Sequence, residues 1–326
     1  MELFFQFMLL ALGLVFLWKM GELSVQYALG FSTIYGIHQF SVGFFIFAIS
    51  TGLPEISSAI VSSLNKVPEL SVGDLMGSTL ANVSLILGVI AIYAREIEVS
   101  SFLRKKLFKV IGLTALILVG LTFHKGNGLI MGIALTAIYL LSIFWFQGGL
   151  PKQDTSEEIS EIEEKVRKKG FFSPKIDILL KLMGSLTVLL LASWVIVHSS
   201  VNISGSLGID LTVLGGTLIA VGTSFPELAL EIHAIKRKKY SLALGDLFGS
   251  SLLNISFILG ILLLFNKSVD LSFIWQVLPF MGAILLWVSR ALFRKKSITR
   301  RDGYLFLLVF CAYIGWNVYS HFSIVG

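Results

Sequence analysis

Residues 48–55 read Ala-Ile-Ser-Thr-Gly-Leu-Pro-Glu, and residues 220–227 repeat the pattern as Ala-Val-Gly-Thr-Ser-Phe-Pro-Glu. A second polar stretch follows each copy, Gly-Asp-Leu-Met-Gly-Ser-Thr-Leu-Ala-Asn at 73–82 and Gly-Asp-Leu-Phe-Gly-Ser-Ser-Leu-Leu-Asn at 245–254. Matching positions keep a constant separation of 172 residues, as between Glu55 and Glu227. Because chance explains a gapless register over about fifty residues poorly, we infer an internal duplication.

The composition is that of a membrane protein. Of 326 residues, 55% are hydrophobic and 14% are charged, and the mean hydropathy is +0.85. Soluble domains carry about 25% charged residues, and the apolar runs here reach the length of a membrane-spanning helix. We therefore expect an all-α polytopic protein that has the lipid bilayer as a partner.

Several functional classes lack their sequence signals. The single cysteine, Cys311, excludes a disulfide framework and a thiolate metal site. The chain has no glycine-rich phosphate loop, no nucleophile elbow and no His-Glu-x-x-His pattern, so we do not expect an enzyme. The net charge is +6, but the cations cluster in loops between apolar runs, so we do not expect a nucleic-acid partner.

The apolar runs predict ten membrane-spanning helices. Their approximate ranges are 3–26, 39–64, 71–94, 107–123, 128–147, 175–200, 211–235, 242–265, 272–290 and 303–322. Loops after spans three, five, seven and nine hold twenty-one lysines and arginines, whereas loops after spans two, four, six and eight hold three. Cytoplasmic loops are rich in these residues, so the pattern predicts a multi-pass protein of the plasma (cell inner) membrane with both termini extracytoplasmic.

Five spans in each half make the second half enter the membrane from the side opposite to the first. The prediction is therefore two inverted five-helix repeats, 1–147 and 174–326, joined by a cytoplasmic linker at 148–173. The repeated motifs occupy about 48–88 and 220–260. Inverted repeats are common in secondary transporters, which bind their substrates near the bilayer midplane.

The prolines predict that spans two and seven are broken. Pro54 and Pro226 cannot donate a backbone hydrogen bond, so the carbonyls of Ser50 and Gly222, four residues earlier, lose their partner. Unpaired backbone at membrane depth is tolerated only where it is buried in protein or lines a cavity. Each break thus offers free carbonyl oxygens inside the membrane.

The same motifs bring further oxygen atoms to the breaks. Thr51 and Thr223 add hydroxyls, and Glu55 and Glu227 add carboxylates one residue after each proline. Two other serines, Ser50 and Ser224, are candidates for an ion ligand or a helix cap. A charged side chain at mid-bilayer costs about 2.5–3.5 kcal/mol, which ion binding would offset. Hard oxygen ligands favour Ca²⁺, Na⁺ or Mg²⁺.

The second polar stretch places three side chains on one helix face. Asp74, Ser78 and Asn82 are spaced four residues apart. The same spacing recurs at Asp246, Ser250 and Asn254. The asparagines lie deeper in their spans and are the better candidate ion ligands. For the two aspartates, three roles stay open: ion ligand, helix cap, or acceptor of hydrogen bonds from the neighbouring broken helix.

The paired motifs at 50–55 with 73–82 and at 222–227 with 245–254 resemble the α-repeats of the cation/calcium exchanger superfamily. The layout is similar to that of compact prokaryotic sodium/calcium exchangers. The resemblance implies a Na⁺-driven Ca²⁺ antiporter that works by alternating access, with no cofactor beyond the transported ions, and we expect a monomer. The ligands it implies are Glu55, Asn82, Glu227 and Asn254, supported by Ser78, Ser250, Thr51, Thr223 and the carbonyls of Ala48 and Ala220.

The chain departs from the family pattern in ways that keep alternatives open. The usual Gly-Thr-Ser is Ser50-Thr51-Gly52 in the first copy, and Asp74 and Asp246 stand where these exchangers usually have asparagine. Since extra aspartates could carry protons, H⁺-coupled cation exchange is the main alternative, and a cation channel is the third. Glu231 aligns with Ala59 of the first half, and we expect it near the cytoplasmic end rather than in the ion site.

Overall fold

The computed structural model describes residues 2–64, 66, 68–123, 128–147, 173–206, 224–266 and 269–325. Most of these residues are helical, as expected where lipid offers no partner for backbone polar groups. The helices are α1 Glu2–Tyr35, α2 Gln39–Thr51, α3 Leu53–Leu64, α4 68–94, α5 Ser101–Thr122, α6 Gly128–Gln147, α7 Pro174–Ser206, α8 Phe225–Lys236, α9 Tyr240–Phe265, α10 Phe273–Arg294 and α11 Arg300–Val325. The predicted all-helical class is confirmed. The proposed linker at 148–173 lies outside the described residues except for Ser173.

Three helices of the described part of the chain contain a π-helical turn. These turns are Val42–Phe47 in α2, Asn82–Ile86 in α4 and Leu253–Ile258 in α9. The turns in α4 and α9 lie at matching positions of the two repeats, since Asn82 and Asn254 are 172 residues apart. The sequence pattern did not predict these turns.

Six helices of the described chain are long and apolar enough to cross a membrane: α1, α4, α6, α7, α9 and α10. Together α2 and α3 count as a seventh, broken span, interrupted at Gly52. The protein is therefore a multi-pass membrane protein, but this count does not confirm ten spans. One reason is that α5 begins with the basic residues Arg104, Lys105 and Lys106; another is that most of the predicted span 211–235 lies outside the described residues. The number ten stays a prediction.

Helices α1 and α7 exceed their predicted lengths the most. Helices α1 and α7 have 34 and 33 residues, which is about 50 Å at 1.5 Å per residue, whereas the hydrocarbon core of a bilayer is about 30 Å thick. They pack along each other, with Ser24 Oγ donating to Ser185 Oγ at 3.0 Å and Tyr35 Oη donating to the Lys175 carbonyl at 3.2 Å. This packing stabilises helical turns that hydropathy alone does not predict.

The chain divides into two compact units. The first unit comprises 1–51 and 149–246, so it contains α1, α2, α7, α8 and the start of α9. Within it, α8 packs against both α1 and α7. The second unit comprises 52–148 and 247–326, and includes α3 to α6, the rest of α9, α10 and α11.

Two glycine pairs hold the second unit together. A Cβ at Gly303 would lie 2.8 Å from the Gly88 carbonyl oxygen, so glycine at this position lets α4 and α11 approach this closely. A Cβ at Gly132 would lie 2.7 Å from the Gly260 carbonyl oxygen, which joins α6 to α9 in the same way. Because Gly88 and Gly260 are 172 residues apart, the two contacts occupy matching places in the repeats.

In the second unit, two contacts join segments that are distant in the sequence. Strands β1 (Glu96–Glu98) and β2 (Ser297–Thr299) pair antiparallel, which joins the loops after the predicted spans three and nine. Asn266 Nδ2, just after α9, donates to Ser63 Oγ at 3.0 Å near the end of α3, which joins the ends of the predicted spans two and eight. The grouping agrees with the predicted alternation of odd and even loops. The short sheet itself is a departure from the purely helical prediction.

Asp302 connects α10, β2 and α11 ahead of the apolar run 303–322. One carboxylate oxygen accepts from Trp287 Nε1 at 2.9 Å and Lys295 Nζ at 3.2 Å, and the other accepts from the Thr299 backbone N–H at 2.8 Å and its hydroxyl at 2.6 Å. Burial alone would raise the pKa of Asp302, but hydrogen bonds from Thr299, Trp287 and Lys295 outweigh burial and hold the pKa below its ordinary value.

We expect Asp302→Asn to lower the free energy of unfolding by about 1–3 kcal/mol, because charge-assisted hydrogen bonds are lost. Thermal unfolding in detergent measures the change, and Asp270→Asn at an exposed loop position is the control. Since the folded-state pKa is depressed, the stabilisation is complete above the unfolded pKa of about 3.9 and disappears as pH falls through the lower folded pKa. The difference between wild type and Asp302→Asn should therefore shrink below about pH 4. An equal effect of both substitutions would contradict the assignment.

Candidate ion-binding site

Glu55 lies in the first turn of α3, directly after the break at Gly52. Proline is tolerated at position 54, in the first turn of α3. It has no backbone N–H, and the first N–H groups of a helix have no intrahelical acceptor in any case. The Glu55 side chain is 1% exposed, and its Oε1 accepts a hydrogen bond from Ser78 Oγ at 3.2 Å. Its other oxygen, Oε2, has no donor among the described residues. The break in the helix therefore presents a buried carboxylate with an unused oxygen.

Asn82 begins the π-helical turn of α4 and is 0% exposed. Neither the oxygen nor the nitrogen of its side-chain amide has a hydrogen-bond partner within the described part of the chain. Its backbone carbonyl accepts from the Leu87 N–H, five residues later, which is the wide hydrogen bond of a π turn. Such turns occur often at functional sites.

Asn254 repeats this arrangement in α9. It lies in the turn Leu253–Ile258, its carbonyl accepts from the Leu259 N–H, and its side chain is 2% exposed. The amide oxygen of Asn254 has no donor among the residues described. Ser250, one helical turn earlier, is buried and takes part in further interactions.

These side chains lie on elements that pack together within the second unit. Helix α3 contacts α4, and both contact the π turn of α9. Glu55, Ser78, Asn82 and Asn254 are thus carried by three mutually packed segments. A carboxylate oxygen and two amide oxygens in this group lack donors, and oxygen acceptors of this kind are the ligands that Na⁺ and Ca²⁺ prefer.

The first unit contains the other predicted ligands that the structure describes. Thr51 is buried, and its hydroxyl donates to the Phe47 carbonyl at 3.1 Å, which leaves the hydroxyl oxygen able to accept or to bind a cation. Ala48 and Ser50 are buried in the same helix, α2. The predicted ligands Ala220 and Thr223 lie outside the described residues.

Glu227 occupies the first turn of α8 and is buried, as Glu55 is in α3. Ser224 stands at the N-cap position, but its hydroxyl does not cap the helix; its backbone carbonyl accepts from the Leu228 N–H at 3.1 Å. The two acids belong to different units, Glu55 to the second and Glu227 to the first. Their meeting at one site stays a prediction.

Neither aspartate caps a helix. Helix α4 begins at Pro68 and α9 at Tyr240, so Asp74 and Asp246 each lie six residues inside a helix. Asp74 is half-buried and accepts a hydrogen bond from the Ser58 hydroxyl of the broken span. Of the three roles left open for Asp74, the structure therefore supports acceptance of a hydrogen bond from the broken span. Asp246 is fully buried and has further interactions.

Glu231 is more deeply buried than the sequence analysis expected. Its side chain is 0% exposed and interacts electrostatically with Asp246 and Glu227. A signal was available in the sequence, because Glu231 follows Glu227 by one helical turn and has only Ala59 as its counterpart. Across the described ranges, no three histidine, cysteine or acidic side chains are grouped to hold a metal ion. A cation site here would therefore use amide, hydroxyl and carbonyl oxygens beside its carboxylates.

Comparison with known proteins gives concordant matches. The family model of the sodium/calcium exchanger protein matches residues 5–147 and again 177–319. An uncharacterized membrane protein of Methanocaldococcus jannaschii, MJ0091, is 30% identical over 92% of this chain and 93% of its own. The sodium/calcium exchanger MaX1 of Methanosarcina acetivorans is 26% identical over 94% of this chain and 97% of its own.

The fold is also that of a solved exchanger structure. A structure of the sodium-calcium exchanger NCX_Mj, soaked with Na⁺ and without Ca²⁺, gives a TM-score of 0.81. The match covers 96% of this chain and 99% of that one at 24% identity, which shows the fold. Since the family model covers most of the sequence in two copies, the chain belongs to the sodium/calcium exchanger protein family.

Proposed function

We propose that this protein is a secondary active antiporter of the plasma (cell inner) membrane that exchanges Ca²⁺ for Na⁺. One observation carries the proposal: Glu55 Oε2, Asn82 Oδ1 and Asn254 Oδ1 are buried acceptors without donors in the described chain. An unsatisfied buried polar group costs about 1–3 kcal/mol, and a charged group costs more. A bound hard cation would supply the missing partner for all three oxygens.

The charges of the proposed site suit exchange. The two glutamates, Glu55 and Glu227, match the charge of one Ca²⁺ or of two Na⁺ ions. The same oxygens cannot be saturated by both loads at once, so the ions compete for the cluster and bind in turn. The proposed supporting ligands are Ser78, Ser250, Thr51, Thr223, Ser50, Ser224 and the carbonyls of Ala48 and Ala220.

Several observations support two inverted repeats that alternate access to this site. The two ranges matched by the family model begin at 5 and 177 and end at 147 and 319, so both pairs of limits are 172 residues apart. The close contacts of Gly88 and Gly260 fall at matching places in the repeats. The two contacts support odd- and even-numbered loops on opposite sides of the membrane. The excess of lysine and arginine in the odd-numbered loops supports a cytoplasmic position for them and both termini outside. We propose that one chain suffices for transport.

Coupling to H⁺ is the second candidate. It is favoured by the buried acid Asp246 and the half-buried acid Asp74, which lie in the second polar stretch of each repeat and could carry protons. A passive channel is the weaker alternative, because inverted repeats with broken helices are typical of secondary transporters.

Uptake of radiolabelled Ca²⁺ into proteoliposomes tests the proposal. Antiport predicts uptake that needs Na⁺ inside the vesicle and ceases when the Na⁺ gradient is removed, with no response to an imposed pH step. A proton-coupled carrier would respond to the pH step without Na⁺. A channel would pass Ca²⁺ with no counter-ion gradient. Either of the last two results would refute Na⁺/Ca²⁺ antiport.

Removing either glutamate charge should strongly reduce exchange. We expect Glu55→Gln and Glu227→Gln each to reduce Na⁺-driven Ca²⁺ uptake at least about tenfold, because a buried charge-assisted contact with the ion is worth more than 1.4 kcal/mol. Glu98→Gln, at an exposed position in β1, is the control and should keep wild-type uptake. Full uptake by either site variant would remove that glutamate from the site.

The hydrogen bond from Ser78 to Glu55 should also affect ion affinity. Ser78→Ala removes a donor that orients the carboxylate, so the half-saturating Ca²⁺ concentration should rise by about tenfold, or 1.4 kcal/mol. The matched control is Ser142→Ala, since Ser142 is equally buried but its hydroxyl bonds the Tyr139 carbonyl of its own helix. Equal effects of the two substitutions would indicate a packing role for Ser78.

A further inference from the structure

One end of the second unit carries a strongly basic surface, formed by residues 95–109 and 287–304 and called the basic end below. These two stretches contain eleven lysines and arginines and three acids, so their net charge is +8, which exceeds the +6 of the whole chain. Nine of the cations are exposed: Arg95, Lys105, Lys109, Arg290, Arg294, Lys295, Lys296, Arg300 and Arg301. Because like charges repel one another, an anionic partner would stabilise this surface.

The two basic stretches are held together by contacts within the second unit. The Arg300 backbone N–H donates to the Arg95 carbonyl at 2.7 Å, beside the pairing of β1 with β2. Helix α5 packs against α10. The buried Lys106 Nζ donates to the Phe146 carbonyl at 2.7 Å, which joins the start of α5 to the end of α6. The cations therefore belong to one continuous surface rather than to independent loops.

Acidic groups of the chain do not balance the charge of the basic end. Of its nine exposed cations, Lys295 alone has an acidic partner within the described residues, Asp302 at 3.2 Å. The other two acids of this surface, Glu96 and Glu98, are exposed in β1. The predicted linker at 148–173 has six acids but also five lysines and arginines, so its net charge is only −1. A partner outside the chain is therefore needed.

Three cations of the basic end lie over aromatic rings that are themselves partly exposed. The pairs, with the distance from the charged group to the ring centroid, are Lys109 with Trp145 at 4.9 Å, Arg290 with Trp287 at 5.9 Å and Arg300 with Tyr304 at 5.6 Å. Tryptophan and tyrosine concentrate at the headgroup level of a membrane. The three pairs therefore indicate that these cations lie at the depth of the lipid phosphates.

Large apolar side chains adjoin these pairs in the sequence. Phe144, Leu286 and Phe293 are between 74% and 77% exposed, and they precede Trp145, Trp287 and Arg294. A water-soluble polyanion would leave these apolar groups in water. A lipid offers acyl chains to them and a phosphate to the cations, so the surface fits a lipid better.

We propose that the basic end binds the phosphate groups of anionic membrane lipids, whose acyl chains contact the adjoining apolar side chains. Anionic lipids attract basic segments that lie next to a membrane span. Arginine can also donate two parallel hydrogen bonds to one phosphate. In the proposed topology the basic end faces the cytoplasmic leaflet. This binding goes beyond ion exchange and does not depend on which ions are transported.

Lipid binding to the purified full-length protein in detergent tests the proposal. Radiolabelled phosphatidylglycerol is the probe, and radiolabelled phosphatidylcholine is the reference lipid. We expect a preference for phosphatidylglycerol that weakens as salt is added. Lys109→Gln and Arg290→Gln should each lower the affinity for phosphatidylglycerol about fivefold, because each removes one cation from the surface. Glu96→Gln, which removes an exposed acid from the same surface, should raise that affinity.

Lys181→Gln is the matched control and should keep the wild-type affinity, because Lys181 lies in the first unit and pairs with Asp177 at 2.6 Å. Equal binding of the two lipids to the wild type would overturn the proposal, as would equal losses in Lys109→Gln and Lys181→Gln. Displacement of phosphatidylglycerol by an equal concentration of inorganic phosphate would indicate a site for free phosphate instead. A preference that appears only after the linker acids are changed to amides would assign the surface to the linker.

Discussion

The burial of oxygen acceptors without donors is the constraint on which the site depends. Glu55 is 1% exposed and Asn82 is 0% exposed, yet each keeps a side-chain oxygen that no described group satisfies. The break at Gly52 brings the Glu55 carboxylate to the start of a helix, and Ser78 fixes one of its oxygens. A structural metal would satisfy such oxygens permanently. The proposed transported ion would satisfy them only while bound, which would leave them able to accept a competing ion.

Two of the site's side chains also lie where the backbone departs from a regular α-helix. Asn82 and Asn254 lie in π-helical turns at matching positions, although the two turns differ in some of their other residues. In both turns a serine two residues later donates its hydroxyl to the carbonyl four residues back, Ser84 to Leu80 and Ser256 to Leu252. Such side-chain bonds compete with the regular helical ladder and bend helices. The Asn-x-Ser pattern therefore gives a local reason for the same distortion in both repeats.

The sequence predicted the helical class and the internal duplication, because neither the hydropathy pattern nor the constant 172-residue spacing depends on tertiary packing. It did not predict the full length of α1, because the predicted span ended at residue 26, whereas the contact of Tyr35 with the Lys175 carbonyl lies in the additional turns. The strand pairing of Ile97 with Ile298 joins loops that are distant in sequence. Asp74 was open to a capping role because the start of α4 at Pro68 was not recognised. The meeting of Glu55 and Glu227 stays a prediction.

The two repeats share close glycine contacts between helices, but they differ in their acidic side chains. Gly88 and Gly260 make matching close approaches, and a substitution at either would force helices apart. Ala59 and Glu231 occupy matching buried positions, but exchanging a methyl group for a carboxylate leaves the helix path unchanged. In the proposed alternating access, each half would adopt the backbone arrangement of the other, which would constrain the glycines. The acidic side chains are under no such constraint, so the two halves can differ at Ala59 and Glu231.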